Sequence, residues 1–428
     1  MTDGHFYRAM WRWHFYAGLI VLPILALMAA TGALYLYKAE VEAWLYPVRI
    51  AVPPGARPLP PSQLVATVQR DTHDHVTQLL VPDAPGESWR IMTGAGHGAS
   101  HGAATVHFVD PYAGRQIGVM RDGGIMKTVR DLHSLMLAGP VGNRLVEVAA
   151  GWAILLCITG VYLRWPRHGQ PALAVRGRVG GRMFWRDLHG TLGFSSAAVI
   201  LFLAMTGMPW TDVWGGGLRR LVAANEWGRP AMAVMPWSAP AQAALPWALR
   251  NGGGMTGKPG DIGVDAIARI AARRGLTHGY QIVLPAGPGA PYLVTSLVQR
   301  ADDARAITID AASGAVAQDI DWRMFGPGAK TVEWGIATHQ GQQYGEANRL
   351  LMLAGCLCLL ALCITGPILW WKRRPQGGLR APPAATPGAR RTVAGLMLAL
   401  GLLFPLTGLS MLAALAGEWL ARRIRLAQ

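Results

Sequence analysis

Residues 11–37 read WRWHFYAGLIVLPILALMAATGALYLY. An apolar run of about 20 residues is what a helix needs to cross a hydrocarbon core. This run is longer than the 7–15 residues of a signal-peptide apolar region. We therefore read it as an uncleaved first span at 13–37, although Arg8 and Arg12 precede it. It holds one histidine near its start, His14, and a Thr31-Gly32 pair 17 residues further on.

Four more runs of this length follow. The spans are expected at 13–37, 143–165, 188–210, 347–371 and 392–416. The composition agrees: 51% of the 428 residues are hydrophobic and only 15% are charged, where soluble proteins have about a quarter charged. Tryptophans at 11, 13, 165, 210, 370 and 371 mark span ends, as an interfacial belt requires.

The net charge of +16 does not point to nucleic acid, because of where it sits. Segments 38–142 and 211–346 hold nine basic against nine acidic residues, and twelve against eleven. Stretches 1–12, 164–187 and 372–391 together hold fourteen Lys/Arg and two acids. That is the positive-inside pattern. It makes 1–12, the loop 166–187 and the linker 372–391 cytoplasmic, and puts both large segments on the outer, periplasmic side of a bacterial inner membrane. The basic loops are mainly topology determinants, and binding to anionic lipid or to an acidic donor protein is a secondary reading of them. The tail 417–428 carries Arg422, Arg423 and Arg425, and its side is not fixed by the sequence.

Both outer segments read as mixed α and β. TVHFVDPYAGRQIG at 105–118 is strand, turn, strand, with Asp110, Pro111 and Gly114 supplying the turn. AITIDAASGAV at 306–316 repeats the idea, and GAGHGASHGAA at 94–104 is a glycine-rich loop. Cys157, Cys356, Cys358 and Cys363 all lie in apolar runs, so no disulfide framework holds the outer segments.

The spacing of His14 recurs. His189 precedes Thr206-Gly207 by 17. His133 precedes Thr159-Gly160 by 26, and His339 precedes Thr365-Gly366 by 26. Asn-Arg-Leu recurs at 143–145 and 348–350. The first four spans thus read as two copies of a unit made of span, outer segment and span. The eight other histidines do not share these spacings.

Ionisable residues at membrane depth are costly and usually functional. His14 follows Arg12, and His189 follows Arg186 and Asp187, so both belong near the inner face. A continuous helix from His133 to Thr159 would be about 39 Å long, too long for the core. Gly139, Pro140 and Gly142 break it, which leaves His133 at the outer surface. His14 is then paired with His189, and His133 with His339. Facing imidazoles in apolar surroundings suit six-coordinate haem iron, so two b-type haems are expected. Gly18, Gly151, Gly190, Gly193 and Gly355 would leave room for the porphyrins, and the Thr-Gly pairs would allow close helix packing. Zinc is less suited, because no cysteine or carboxylate completes a tetrahedral set. Glu147 is expected to pair with Arg144.

WRWHFYAGLIVLPILALMAATGALYLYKAEVEAWLYP at 11–47, VDPYAGRQIG at 109–118, LHSLMLAGPVGNRL at 132–145, ITGVYLRWPR at 158–167, FWRDLHGTLGF at 184–194 and LLFPLTGLSMLAAL at 402–415 carry a resemblance. The chain resembles the PepSY-associated transmembrane family, which includes iron-regulated membrane proteins and diheme ferric-siderophore reductases. The resemblance implies an integral-membrane, all-α helical bundle with α+β PepSY-like periplasmic domains at 38–142 and 211–346. It also implies haem in reductase members, with the ligand role falling on His14, His133, His189 and His339. The chain departs from relatives at Phe15, where arginine is common, and in the THQGQQYG context of His339.

The expected function is transmembrane electron transfer. A cytoplasmic or quinol donor would reduce the inner haem, and a ferric siderophore or other ferric chelate would be reduced outside. No nucleotide- or flavin-binding fingerprint accompanies the glycines at 215–217 or 252–254, so the donor is another molecule. The competing reading is a non-enzymatic membrane protein whose outer domains bind a peptide, a metal chelate or a protease. A further reading gives periplasmic metal binding to His97, His101 and His107, with His73 and His75 nearby; a solvated loop is the plainer account.

Overall fold

The computed structural model describes residues 3–94, 105–121, 124–166, 171–228, 261–287, 289–297, 299–373, 395 and 398–426. The glycine-rich loop with His97 and His101, most of the 372–391 linker and part of the expected fifth span lie outside them. The chain forms two units.

The first unit comprises residues 1–36, 129–221 and 338–428. It is helical. Its long helices are α1 (Asp3–Tyr35), α6 (Gly139–Arg164), α7 (Arg182–Gly207) and α11 (Gly345–Arg373). Stretches within or around these, Gly4–Tyr35, Met136–Arg164, Arg182–Trp210 and Gly345–Arg373, are long and apolar enough to cross a membrane. They pack as a ring, with α1 against α6 and α11, and α7 against α6 and α11. Small residues let the helices approach: Ala9 and Ala17 of α1 and Ala149 and Ala153 of α6 share one buried cluster. Of the expected fifth span, the described part includes α12 (Pro405–Leu426), whose apolar stretch is Pro405–Gly417. It packs on α6, and Trp152 donates to the Ser410 hydroxyl at 2.9 Å.

The second unit comprises residues 37–128 and 222–337. Its strands are β1 (Val76–Val81), β2 (Trp89–Thr93), β3 (Thr105–Asp110), β4 (Arg115–Arg121), β5 (Tyr280–Val283), β6 (Tyr292–Ser296), β7 (Arg305–Ile309) and β8 (Val316–Asp321). They form one antiparallel sheet in the order β4-β3-β2-β1-β5-β6-β7-β8. Segments 38–142 and 211–346, read from the sequence as separate domains, therefore share a sheet. The β1–β5 ladder pairs two strands that would otherwise each expose an open edge. Helices α4 (Pro61–Thr72) and α9 (Val264–Arg273) contribute Leu64, Val68, Ile267 and Ile270 to a core with Leu79, Ile91, Ile282 and Ile307.

Both expected strand–turn–strand stretches are hairpins, offset by 200 residues. Thr105 pairs with Arg121 and Arg305 with Asp321, and each ladder is interrupted two-thirds along, at Phe108/Val109 and Thr308/Ile309. The turns agree too. Asp110 accepts from the amides of Tyr112 and Ala113, and Asp310 from that of Ser313. Gly114 and Gly314 hold φ of 65° and 71°, where a side chain would be strained.

Candidate paired-histidine site

The helix expected to break after His133 does so. Helix α5 (Gly124–His133) ends on that residue. Leu135 then adopts a φ of 50°, a short turn covers Met136–Ala138, and α6 starts at Gly139. Gly142 packs so closely on the Leu135 carbonyl that a β-carbon could not be added. His339 also ends a helix, α10 (Pro327–His339). Its return to α11 turns through Gly341 and Gly345, at φ 72° and 65°. Asn348 secures that turn: its amide donates to the Thr338 carbonyl at 2.9 Å, and its own oxygen accepts from Tyr344 N. This accounts for the unusual THQGQQYG context. His14 and His189, by contrast, sit inside α1 and α7.

The structure brings the four histidines together in the two expected pairs. Ring centres of His14 and His189 lie 6.4 Å apart with planes at 89°. Those of His133 and His339 lie 6.4 Å apart at 81°. Each ring is also held by a threonine of one of the Thr-Gly pairs. His14 Nδ1 lies 2.9 Å from Thr159 Oγ1, and His189 Nδ1 lies 2.8 Å from Thr365 Oγ1. His133 Nδ1 lies 3.1 Å from Thr31 Oγ1, and His339 Nδ1 lies 2.8 Å from Thr206 Oγ1. The threonine contacts fall on Nδ1 in all four rings, and His133 and His339 also engage the backbone at Met28 and Leu203; with Nδ1 engaged, Nε2 is the nitrogen left on each ring for a further partner.

The glycines beside these threonines make room for the rings. A β-carbon added at Gly160 or Gly32 would stand 3.2 Å from Cε1 of His14 or His133. At Gly366 and Gly207 it would stand 3.7 and 3.8 Å from Cε1 of His189 and His339. Gly151 and Gly355, expected to leave room for a cofactor, instead pack on Thr407 and Val199.

Two metal–imidazole bonds of about 2 Å each, with the distance from each ring centre to its own nitrogen, would span the 6.4 Å separation of each pair. The residues present fit a metal that asks the protein for two nitrogens and takes its other bonds elsewhere, as haem iron does. Tetrahedral zinc fits less well: no group of three or more His, Cys, Asp or Glu occurs among the described residues.

Several polar residues nearby do structural work. Asp187, two positions before His189, is fully buried among three arginines. Arg176 and Arg186 reach it at 2.8 Å and Arg164 at 3.5 Å. Arg164 also donates to the carbonyls of Ala172 and Ala174, tying the basic loop to the end of α6. Glu147 does not pair with Arg144. Its carboxylate accepts from the amides of Val213 and Trp214, which open α8 (Val213–Ala224), while Arg144 pairs with Asp212 at 3.1 Å. The amides win because a helix start offers unsatisfied donors to a buried carboxylate.

His107 is not a loop ligand. It is buried on β3, with Nε2 2.9 Å from Thr93 Oγ1 and Nδ1 3.0 Å from Gln116 Oε1, so both nitrogens are engaged. His97 and His101 lie outside the described residues. The four cysteines are free thiols.

Four membrane-length helices and an antiparallel-sheet unit inserted between them define a multi-pass membrane protein. The chain belongs to the PepSY-associated TM region family, whose model matches residues 11–373. No curated protein matches it.

Proposed function

We propose that this chain is a diheme b-type electron-transfer protein of the bacterial inner membrane, which reduces ferric chelates such as siderophores on the periplasmic side and so releases iron. The observation that carries the reading is the pair of imidazole pairs, each with ring centres 6.4 Å apart and each Nδ1 already engaged. His14 with His189, and His133 with His339, would hold the two haems by Nε2. Haem b bound in this way supplies a reversible one-electron iron couple, with a potential set by its axial ligands and burial.

The protein's own part is to fix four imidazoles, keep the surroundings apolar and separate the two positions along the bundle. His14 and Thr31 are 17 residues apart in α1, which is roughly 25 Å of helix rise. One pair therefore belongs toward each end of that helix. The positive-inside pattern of the basic stretches supports a cytoplasmic side for the His14 end, where a quinol or cytoplasmic donor would deliver the electron. Reduction to ferrous iron weakens hard oxygen chelation of the acceptor's metal.

The reading also takes the first four membrane helices as two copies of a two-span unit, with PepSY-like segments in each. The matched histidine–threonine contacts and the hairpins offset by 200 residues support it. Pyridine-haemochrome quantitation on the wild type and on four single His→Ala variants tests the proposal. Two haems per chain should fall to one in each variant. Absence of haem from the reconstituted wild type would leave the anchoring and ligand-binding alternative in possession.

A further inference from the structure

We propose that the four threonines, Thr31, Thr159, Thr206 and Thr365, are positioning residues that set the tautomer of the histidine each one touches, so that every Nε2 presents a lone pair to iron. The haem part of this inference rests on the diheme reading above. The assignment of the proton does not.

The argument starts from the hydroxyl. A threonine hydroxyl has one hydrogen to donate and two lone pairs to accept with. All four hydroxyls direct that hydrogen to their own helix, four residues back. Thr31 donates to the Leu27 carbonyl at 2.6 Å, Thr159 to Leu155 at 2.7 Å, Thr206 to Phe202 at 2.7 Å and Thr365 to Ala361 at 2.8 Å. A carbonyl cannot donate, so the direction of these bonds is not in question. These separations match an O–H donor, whose usual distance is about 2.7–2.8 Å. With that hydrogen committed to the carbonyl, each Oγ1 has only lone pairs to offer Nδ1, which lies 2.8–3.1 Å away. Each Oγ1 therefore accepts from Nδ1–H. A neutral imidazole protonated on Nδ1 has its lone pair on Nε2.

The surroundings reinforce this choice. Thr31, Thr159 and Thr365 are buried, and an apolar bundle interior offers no water as an alternative partner. A buried Nδ1–H without its acceptor would carry the full cost of desolvation. The glycine after each threonine lets Cε1 approach the helix, so the dipeptide works as a clasp: threonine takes the proton and glycine admits the ring edge.

The wiring of the clasps is specific. Thr31 on α1 holds His133 at the end of α5, while Thr159 on α6 holds His14 on α1. Thr206 on α7 holds His339 at the end of α10, while Thr365 on α11 holds His189 on α7. Every clasp joins the two helical arms of one repeat. Every imidazole pair joins one repeat to the other. Thr159 and Thr365 thus serve the His14–His189 site, and Thr31 and Thr206 serve the His133–His339 site.

The test uses full-length protein in detergent micelles, with Thr→Val and Thr→Ser variants at each position. In haem-free protein, histidine 15N chemical shifts report which ring nitrogen carries the proton. The wild type and Thr→Ser should show Nδ1–H at all four sites, and each Thr→Val should change the signal of its partner histidine alone. In haem-loaded protein, Thr159→Val or Thr365→Val should raise the midpoint potential of one haem, and Thr31→Val or Thr206→Val that of the other. The direction follows because a hydrogen-bonded Nδ1–H makes the ligand more basic and favours ferric iron. Thr→Ser should restore both the potential and the low-spin EPR signal. Nε2–H signals in the wild type would overturn the proposal, as would Thr→Val variants with wild-type shifts and potentials. A wild type that binds no haem would fail the diheme reading instead, while the 15N shifts would still decide the clasp.

Discussion

Alanine at the four clasp glycines should not have four equal effects. At Gly160 the added methyl would meet His14 Cε1 at 3.2 Å, and at Gly32 it would meet His133 Cε1 at 3.2 Å. Contacts that short require the ring to give by a few tenths of an ångström. The ring has little freedom, because Nδ1 is held to Thr159 at 2.9 Å in one case and to Thr31 at 3.1 Å in the other. Overpacking of this kind costs about 1–3 kcal/mol. At about 1.4 kcal/mol per tenfold, that is, under the proposed diheme reading, roughly 5- to 150-fold weaker haem binding. At Gly366 and Gly207 the methyl would stand at 3.7 and 3.8 Å, an ordinary contact. There no close contact opposes the replacement, and Gly366, inside α11, gains the roughly 1 kcal/mol that alanine has over glycine in a helix interior. Gly160→Ala and Gly366→Ala perturb opposite ligands of the same site, so they control for each other. The assay is haem titration into the haem-free variants, followed by Soret absorbance, with thermal melts alongside. Gly160→Ala and Gly32→Ala should each loosen one haem, while Gly366→Ala and Gly207→Ala bind normally and melt no lower than wild type. Equal loss at Gly160 and Gly366, or a greater loss at Gly366, would refute the steric account.

Other outcomes follow from single contacts. Glu147→Ala strips the acceptor from two amides at the start of α8; hydrogen bonds to a charged partner are worth about 1.5–3 kcal/mol each, so unfolding in detergent should come at least about 3 kcal/mol sooner. Asp187→Asn leaves Arg164, Arg176 and Arg186 gathered without their acid, and limited proteolysis should then cut within 171–181 faster; an unchanged pattern would show that the loop is held otherwise. His107→Leu leaves Thr93 and Gln116 without partners and should cost about 1–3 kcal/mol of stability while bound metal, measured by elemental analysis, stays the same. The Asp319 carboxyl is held below the usual carboxylate range by the Arg305 guanidinium and then by Arg274, against the opposing effect of burial. Its contribution to stability is therefore complete above the ordinary value of about 3.9 and lost as pH falls through the lower folded value. Asp319→Asn should flatten the acid limb of the stability profile, and an unchanged limb would assign acid unfolding to other groups.

What the sequence made legible was what short-range rules govern. Membrane helices announce themselves by length and hydropathy, and Asp110-Pro-Tyr-Ala-Gly114 announces a hairpin turn by its residue types. The pairing of His14 with His189 was also readable, because two repeated spacings placed both histidines at the same depth. Contacts between distant residues were not readable. Thr159 meets His14 across 145 positions, and no local rule distinguishes a threonine that accepts from imidazole from one that merely packs. Glu147 shows the same limit. A helix rule favoured Arg144, three positions back, but the fold put the amides of Val213 and Trp214 against the carboxylate. The β1–β5 ladder likewise joins Gln78 to Val283 with no turn between them to signal it.

If the chain is the proposed duplicated unit, the wiring also explains how one histidine per helical arm would yield two sites rather than one. Within one repeat the clasps orient two imidazoles, His14 and His133, toward opposite ends of α1, because Thr31 lies roughly 25 Å of helix rise beyond His14. Neither imidazole has a counterpart on its own repeat. The second repeat presents His189 and His339 in the same relation. Facing the two repeats across the bundle completes both pairs at once, and one repeat alone would complete neither. Complementary defects should therefore behave differently according to where they fall. Thr159→Val with Thr365→Val damages two ligands of one site and leaves the other intact, whereas Thr159→Val with Thr31→Val damages one ligand of each. The first double variant should retain one haem of wild-type potential, and the second should retain none. Two haems of equally altered potential in the first double variant would show that the clasps do not belong to separate sites.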